Sequence, residues 1–112
     1  MKLLSRAEEI ILLSILKLKN NAYGVSIRER IHQDTGDIWS FASIYSPLDR
    51  LNRKKYVQKI KSSPLPERGG KSRFYYQVTL EGKKALLKIQ EAQQKIWLGI
   101  PDLKLEFDQH NG

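Results

Sequence analysis

The apolar positions change period along the chain, and those changes divide it into elements. From Ile10 to Leu18, seven of nine residues are apolar. That fills more than one helical stripe, so the first helix, expected over Ser5–Leu18, must be covered on most sides. A domain with few elements leaves part of that cover to a second subunit. Asn20-Asn21 signal a turn. Tyr23, Ile27 and Ile31 then recur at four-residue spacing, with Arg28 and Arg30 outside the stripe. This predicts a second helix over Ala22–Asp34, and Gly36 just beyond it suits a left-handed C-terminal cap. Glycine inside a helix costs about 1 kcal/mol, so Gly24 is expected in the first turn, where another backbone can approach. Trp39 reads as a core or helix-packing anchor.

Ser40–Gln58 organises the rest. Ser40 or Ser43 can cap a third helix, and Ile44, Leu48 and Leu51 give it one apolar stripe. Its other side carries Tyr45, Ser46, Asp49, Arg50, Arg53 and Lys54. The period then drops to two. Tyr56, Gln58 and Ile60 alternate with Val57, Lys59 and Lys61 as in a strand. Ser62–Ser72, with two prolines and Gly69-Gly70, reads as a loop. In Arg73–Thr79, Phe74, Tyr76 and Val78 share one face, with Tyr75, Gln77 and Thr79 on the other. Two strands joined by that long loop form a hairpin able to project, with Arg68, Lys71 and Arg73 at its tip or on its returning strand. Thr79 can cap a last helix with Glu81 in its first turn. Ala85, Leu86, Ile89, Ala92, Ile96 and Trp97 follow helical steps, and Pro101 stops the helix near Gly99. The expected class is mainly α with a small β-hairpin (α+β), in the order α-α-α-β-β-α. This is a winged helix-turn-helix with an extra helix.

Residues 1–79 form the expected winged domain, 80–100 a dimerisation helix, and 101–112, with Leu103, Leu105 and Phe107 alternating, a loose tail. The expected dimer contacts are Ile11 and Ile15 on the first helix, with Leu86, Ile89, Ile96 and Trp97 on the last.

Charge sharpens the picture. The formal net charge is +8. Residues 49–88 hold twelve Lys/Arg against three Asp/Glu, whereas the 48 residues before them are near neutral and the 24 after them are slightly acidic. A field concentrated in one stretch favours polyanions, most often nucleic acid, with anionic lipid or plain solubility as the competing explanations. The 112 residues make one domain. No apolar run is long enough to span a bilayer, and MKLL is followed at once by charged residues rather than a signal sequence. The absence of cysteine excludes disulfides and thiolate chemistry and fits a cytoplasmic protein.

Little points to catalysis or cofactors. His32 and His110 have no metal-ligand spacing around them. Ser26, Ser43 and Ser46 lack a nucleophile elbow. Gly69-Gly70-Lys71-Ser72 lacks the first glycine and following helix of a phosphate-binding loop. The expectation is no enzyme, no metal and no cofactor.

Several runs together resemble the PadR-like transcriptional regulators, particularly short members with a single C-terminal dimerisation helix. These are Tyr23-Gly24-Val25-Ser26-Ile27, Ser43-Ile44-Tyr45, Leu48 with Arg50-Leu51 and Tyr56-Val57, and Arg73-Phe74-Tyr75-Tyr76-Gln77-Val78-Thr79 with Glu81-Gly82. They occur in order across residues 5–98. The resemblance implies a homodimeric DNA-binding regulator, commonly a repressor. Its third helix would enter the major groove, and its wing would follow phosphates or the minor groove. By position, Ser43, Tyr45 and Ser46 would face the groove, Arg50 would lie one turn on, and Tyr23 would support or touch the backbone. Lys71 and Arg73 match basic wing positions. Tyr45 and Ser46 suit phosphate contacts. Arg50 suits a guanine edge, or equally an intrahelical pair on Asp49's side or a phosphate. Arg53, Lys54 and Lys55 suit backbone or solvent.

The chain also departs from the family pattern. Ser46 stands where relatives often carry proline, with Pro47 following. Lys55-Tyr56 stand where a glycine usually precedes the first strand. Gln93 holds the place of the tryptophan with which some relatives bind flat aromatic drugs, which speaks against such a pocket. Relatives range from phenolic-acid and drug sensors to a circadian-clock modifier, and these residues select none of them, nor any effector. The expected function is promoter occlusion by a homodimer on two-fold-related double-stranded DNA, tuned by the angle between the wings. The alternative is a dimeric protein-interaction module whose basic face is incidental.

Overall fold

The computed structural model describes residues 2–62 and 72–105. Arg68, Lys71, Phe107 and His110 lie outside the described residues. Four helices and one hairpin follow in order: α1 (Arg6–Leu18), α2 (Gly24–Thr35), α3 (Phe41–Arg53), β1 (Val57–Lys61), β2 (Phe74–Val78) and α4 (Leu80–Trp97), with a single 3-10 turn at Lys19–Asn21. The strands pair antiparallel, Val57 opposite Val78 and Lys61 opposite Phe74.

Each helix starts where a side chain can satisfy its free amides. Ser5 and Glu8 form a reciprocal capping box on α1. Ser40, not Ser43, caps α3, and Thr79 caps α4. Ser26 Oγ accepts from the Tyr23 amide and donates to the Asn21 carbonyl at the start of α2. Gly36 closes α2 at φ +80°, the left-handed cap.

The core is aliphatic. Ile11, Leu12 and Ile15 of α1 meet Ile27 and Ile31 of α2 and Ile44, Leu48 and Leu51 of α3, all fully buried. Val57, Tyr76, Ala85 and Leu86 extend it under the hairpin and α4, and Trp39 packs against its edge as anticipated. Tyr76 ties the hairpin to the helices through its amide, which donates to the Ala22 carbonyl at 2.9 Å.

Three details depend on packing that spacing along the chain does not give. Ile11 (0% exposed), Ile15 (2%) and Leu86 (9%) are spent on the chain's own core and have almost no surface left for a second copy. The apolar side chains that α1 and α4 leave exposed are Leu13, Leu16, Leu80, Leu87, Ile96 and Trp97, with Ile89 half-buried. In β1 only Val57 is buried, and Ile60 faces outward, because the two-stranded sheet has a core on one side only at its helix-proximal end. The third concerns Gly24, which does sit in the first turn of α2. What approaches it is the ring of Tyr45, not a backbone.

Two features fix how α3 sits on α1 and how α4 sits on the hairpin. Lys54 Nζ, at the end of α3, lies 2.9 Å from Glu8 Oε2. Burial pushes the Glu8 carboxyl up, but the Ser5 amide and hydroxyl and the Lys54 ammonium outweigh it and hold the group below its usual value. At Gly82, in the first turn of α4, an added Cβ would strike the Tyr56 carbonyl oxygen and come within 2.9 Å of Val78 Cγ1. Glycine there lets α4 lie directly on the hairpin base. Lys55 takes φ +64° between α3 and β1, the left-handed conformation that glycine adopts at lowest cost. This is the position at which relatives were expected to carry glycine.

Candidate nucleic-acid interface

The back of α3 is fixed by Ile44, Pro47, Leu48 and Leu51. Pro47 lies inside the helix, where it removes one amide donor and is itself buried. With that stripe inward, Ala42, Ser46, Asp49 and Arg53, spaced by three or four residues, form the outermost row. All four are exposed. Tyr45 and Arg50 stand on opposite flanks of this row.

Neighbouring side chains hold each flank. The Tyr45 ring stacks on Phe41 at 6.3 Å and lies against Gly24. Arg28 of α2 caps the stack, its guanidinium 4.6 Å from the Phe41 ring and its Nε donating to the Trp39 carbonyl at 2.6 Å. On the other flank, Ser40 and Ser43 hydroxyls share a 2.9 Å hydrogen bond at the helix start. Arg50 Nη1 donates to Ser46 Oγ at 3.3 Å. Arg50 therefore leans along the helix toward its N-terminus rather than toward Asp49.

The hairpin supplies a second basic edge. Arg73 stacks over the Tyr23 ring at 3.9 Å and also reaches Tyr75 Oη at 3.5 Å. Tyr23 and Tyr75 meet edge to face at 5.7 Å. Lys59 Nζ sits 4.3 Å from the Phe74 ring. These contacts orient cations without neutralising them.

Two open grooves flank α3. One, of about 620 Å³, runs between α3 and the hairpin, lined by Tyr23, Gly24, Tyr45, Asp49, Lys59, Arg73 and Tyr76. The other, of about 700 Å³, runs between α3 and the segment before it, lined by Ile38, Ser40, Ser43, Ser46 and Arg50. Burial first, then the nearby Asp49 and Tyr45, pushes the Tyr76 phenol up to about 12, so it remains a protonated donor at neutral pH. α3 is thus a ridge between two open channels.

Of the residues singled out from sequence, Tyr23, Tyr45 and Arg73 gather around the first groove, and Ser43, Ser46 and Arg50 line the second. Arg53 projects from the ridge. Lys54 does not belong with them as a free cation, because its ammonium is paired with the buried Glu8. Arg28, Phe41, Asp49 and Lys59 were not singled out. Phe41 and Tyr45, four apart in one helix, carried a readable signal, whereas Lys59 over Phe74 required the hairpin register. Among the described residues no cluster of His, Asp or Glu is placed to hold a metal ion. No described helix is long and apolar enough to cross a membrane.

The chain is similar in fold to several solved proteins. A transcriptional regulator from Clostridium thermocellum superposes with a TM-score of 0.68 at 24% identity, covering 80% of this chain and 84% of that one. A PadR family transcription regulator from hypervirulent Clostridium difficile gives a TM-score of 0.60 at 29% identity, covering 80% and 93%. A PadR-like transcriptional regulator from Bacillus cereus gives 0.64 at 22% identity, covering 80% and 82%. No curated protein matches the sequence. The model of the transcriptional regulator PadR-like family matches residues 12–88, from the middle of α1 into α4. The chain therefore belongs to the PadR-like family of transcriptional regulators, DNA-binding proteins rather than enzymes.

Proposed function

We propose that the protein is a homodimeric repressor in the cytoplasm that reads a two-fold-related promoter site and blocks it by occupying it. The observation that carries this reading is α3 standing as a ridge between two grooves, with Ser46, Asp49 and Arg53 outermost. A ridge of that kind fits the major groove of B-DNA, about 12 Å wide, while the channels beside it receive the two sugar–phosphate walls. Ser43 and Arg50 face one wall, and Tyr45, Lys59 and Arg73 face the other. Tyr23 takes part by holding Arg73.

Residues 1–79 act as the DNA-binding unit and residues 80–100 as the dimerisation helix, with no effector required for the reading. Its support is the apolar groove of about 440 Å³ between α1 and α4, lined by Leu13, Leu16, Leu86 and Leu87. Further along α4, Ile96 is 73% exposed and Trp97 60%, apolar side chains that a second copy would cover.

The test is enrichment of genomic fragments by the purified chain at two salt concentrations, followed by footprinting. The expected result is a protected inverted repeat with half-sites about one helical turn, 10–10.5 base pairs, or a multiple of it apart. Arg50→Ala and Tyr45→Phe should weaken it. Enrichment without a repeat, lost uniformly as salt rises, would leave only a basic surface and favour a protein-interaction module.

A further inference from the structure

Asp49 is the one acidic side chain on the outward row of α3, in the stretch of the sequence that carries most of the positive charge. It makes no hydrogen bond or ion pair among the described residues. The cations within reach are otherwise engaged or merely adjacent. Arg50 turns to Ser46, Arg73 stacks on Tyr23, Lys59 lies over Phe74, and Arg53, four residues on, forms no ion pair with it. Asp49 lines the groove between α3 and the hairpin, with the Tyr76 and Tyr45 side chains close by.

Such a carboxylate does nothing evident for the fold. Facing a duplex, it repels every phosphate, so it weakens binding that depends on charge alone. Although it borders the channel assigned to one phosphate wall, its place in the outermost row of α3 turns it toward the floor of the groove and the base edges. The group there that a carboxylate accepts from without competition is an exocyclic amine, foremost cytosine N4 in the major groove. Thymine presents O4 at the same place, and two acceptors facing each other repel.

We propose that Asp49 is a specificity-determining residue that selects cytosine at one position of each half-site and rejects thymine there. The inference rests on the reading of α3 as the major-groove helix. It assigns Asp49 two coupled effects, a hydrogen bond at one base and a penalty on all other DNA. The acid makes non-specific complexes weaker, and the cytosine contact offsets that penalty only at the operator.

The test is selection from random duplex DNA with the intact chain, its Asp49→Ala variant and its Asp49→Asn variant, followed by titration at several salt concentrations. Wild type should select an inverted repeat with one cytosine per half-site preferred over thymine by on the order of tenfold or more. Asp49→Ala should lose the preference at that position alone, keep the rest of the motif, and bind mixed-sequence DNA several-fold more tightly. Retention of the motif shows that Asp49→Ala is folded. Asp49→Asn, which both donates and accepts, should accept more than one base there. A wild-type motif with no cytosine position, or one unchanged by Asp49→Ala, would overturn the assignment while leaving the groove-binding reading intact. No motif in the wild type would overturn both.

Discussion

Gly24→Ala tests how α2 and α3 are locked together. A methyl at Gly24 would overlap Tyr45 Oη and lie 2.5 Å from Tyr45 Cζ. The obstacle is the far end of a side chain that is 42% exposed, so the ring turns outward instead of the helices parting. The ring then loses its stacking on Phe41, about 0.5–1.5 kcal/mol. It also loses part of the apolar area it buries, roughly 50 Å² or about 1 kcal/mol at ~25 cal/mol per Å². Against this, alanine in the first turn favours the helix by about 0.5–1 kcal/mol. The net expectation is a destabilisation of about 1 kcal/mol, measured by urea denaturation. With Tyr45→Ala in place the obstacle is gone, and Gly24→Ala should stabilise by about 0.5 kcal/mol. The double-mutant cycle should therefore show a coupling of about 1.5 kcal/mol. Additivity within about 0.5 kcal/mol would refute the contact. Gly24→Ala should also weaken DNA binding, because Tyr45 no longer stands at the groove edge.

Three further outcomes are expected. At Gly82 the obstacle is the Tyr56 backbone, which cannot swing away, so Gly82→Ala should cost about 2–3 kcal/mol by the same denaturation assay, and a loss under about 0.5 kcal/mol would contradict the close packing of α4 on the hairpin. Lys55→Gly should raise stability by about 0.5–1 kcal/mol, because it relieves a left-handed residue at some cost in chain entropy; a thermal-melting decrease would count against it. Hydrogen bonds from Arg30, then Lys17, hold the Asp34 carboxyl down from 3.8 to about 2. A depressed folded-state value means that its contribution is complete above pH 3.8 and is lost as the pH falls toward about 2. Asp34→Asn should therefore flatten the fall in stability across that interval, and an unchanged profile would contradict the pairing.

Much of the fold was legible because its determinants are local. Periodicity located four helices and two strands, and cap residues set their starts to within a residue or two. Tertiary pairing was not legible in the same way. Periodicity marked Ile11 and Ile15 as apolar but could not say that α2 and α3 would cover them and leave Leu13 and Leu16 outside. Nothing in the sequence marks Glu8 as an interior residue, yet it is buried against a cation 46 residues away. That pairing engages the ammonium of Lys54, one of the candidate DNA contacts. On α3 the polar face could be drawn from spacing alone, so Ser43, Tyr45, Ser46 and Arg50 could be placed off the apolar stripe. Arg28 and Lys59 reach the site only through the packing of α2 and the strand register. Asp49 was visible on the polar face, but that it makes no hydrogen bond or ion pair among the described residues became apparent only in three dimensions.

The central claim is that α3 reads sequence, and an affinity ratio tests it most directly. Binding of the purified chain to the footprinted repeat and to a scrambled duplex of equal length should be measured at the same near-physiological salt. The account predicts a preference of at least about 10³-fold for the repeat, reduced by Arg50→Ala through loss on the repeat alone. Equal affinity for the two duplexes, falling together as salt rises, would contradict it.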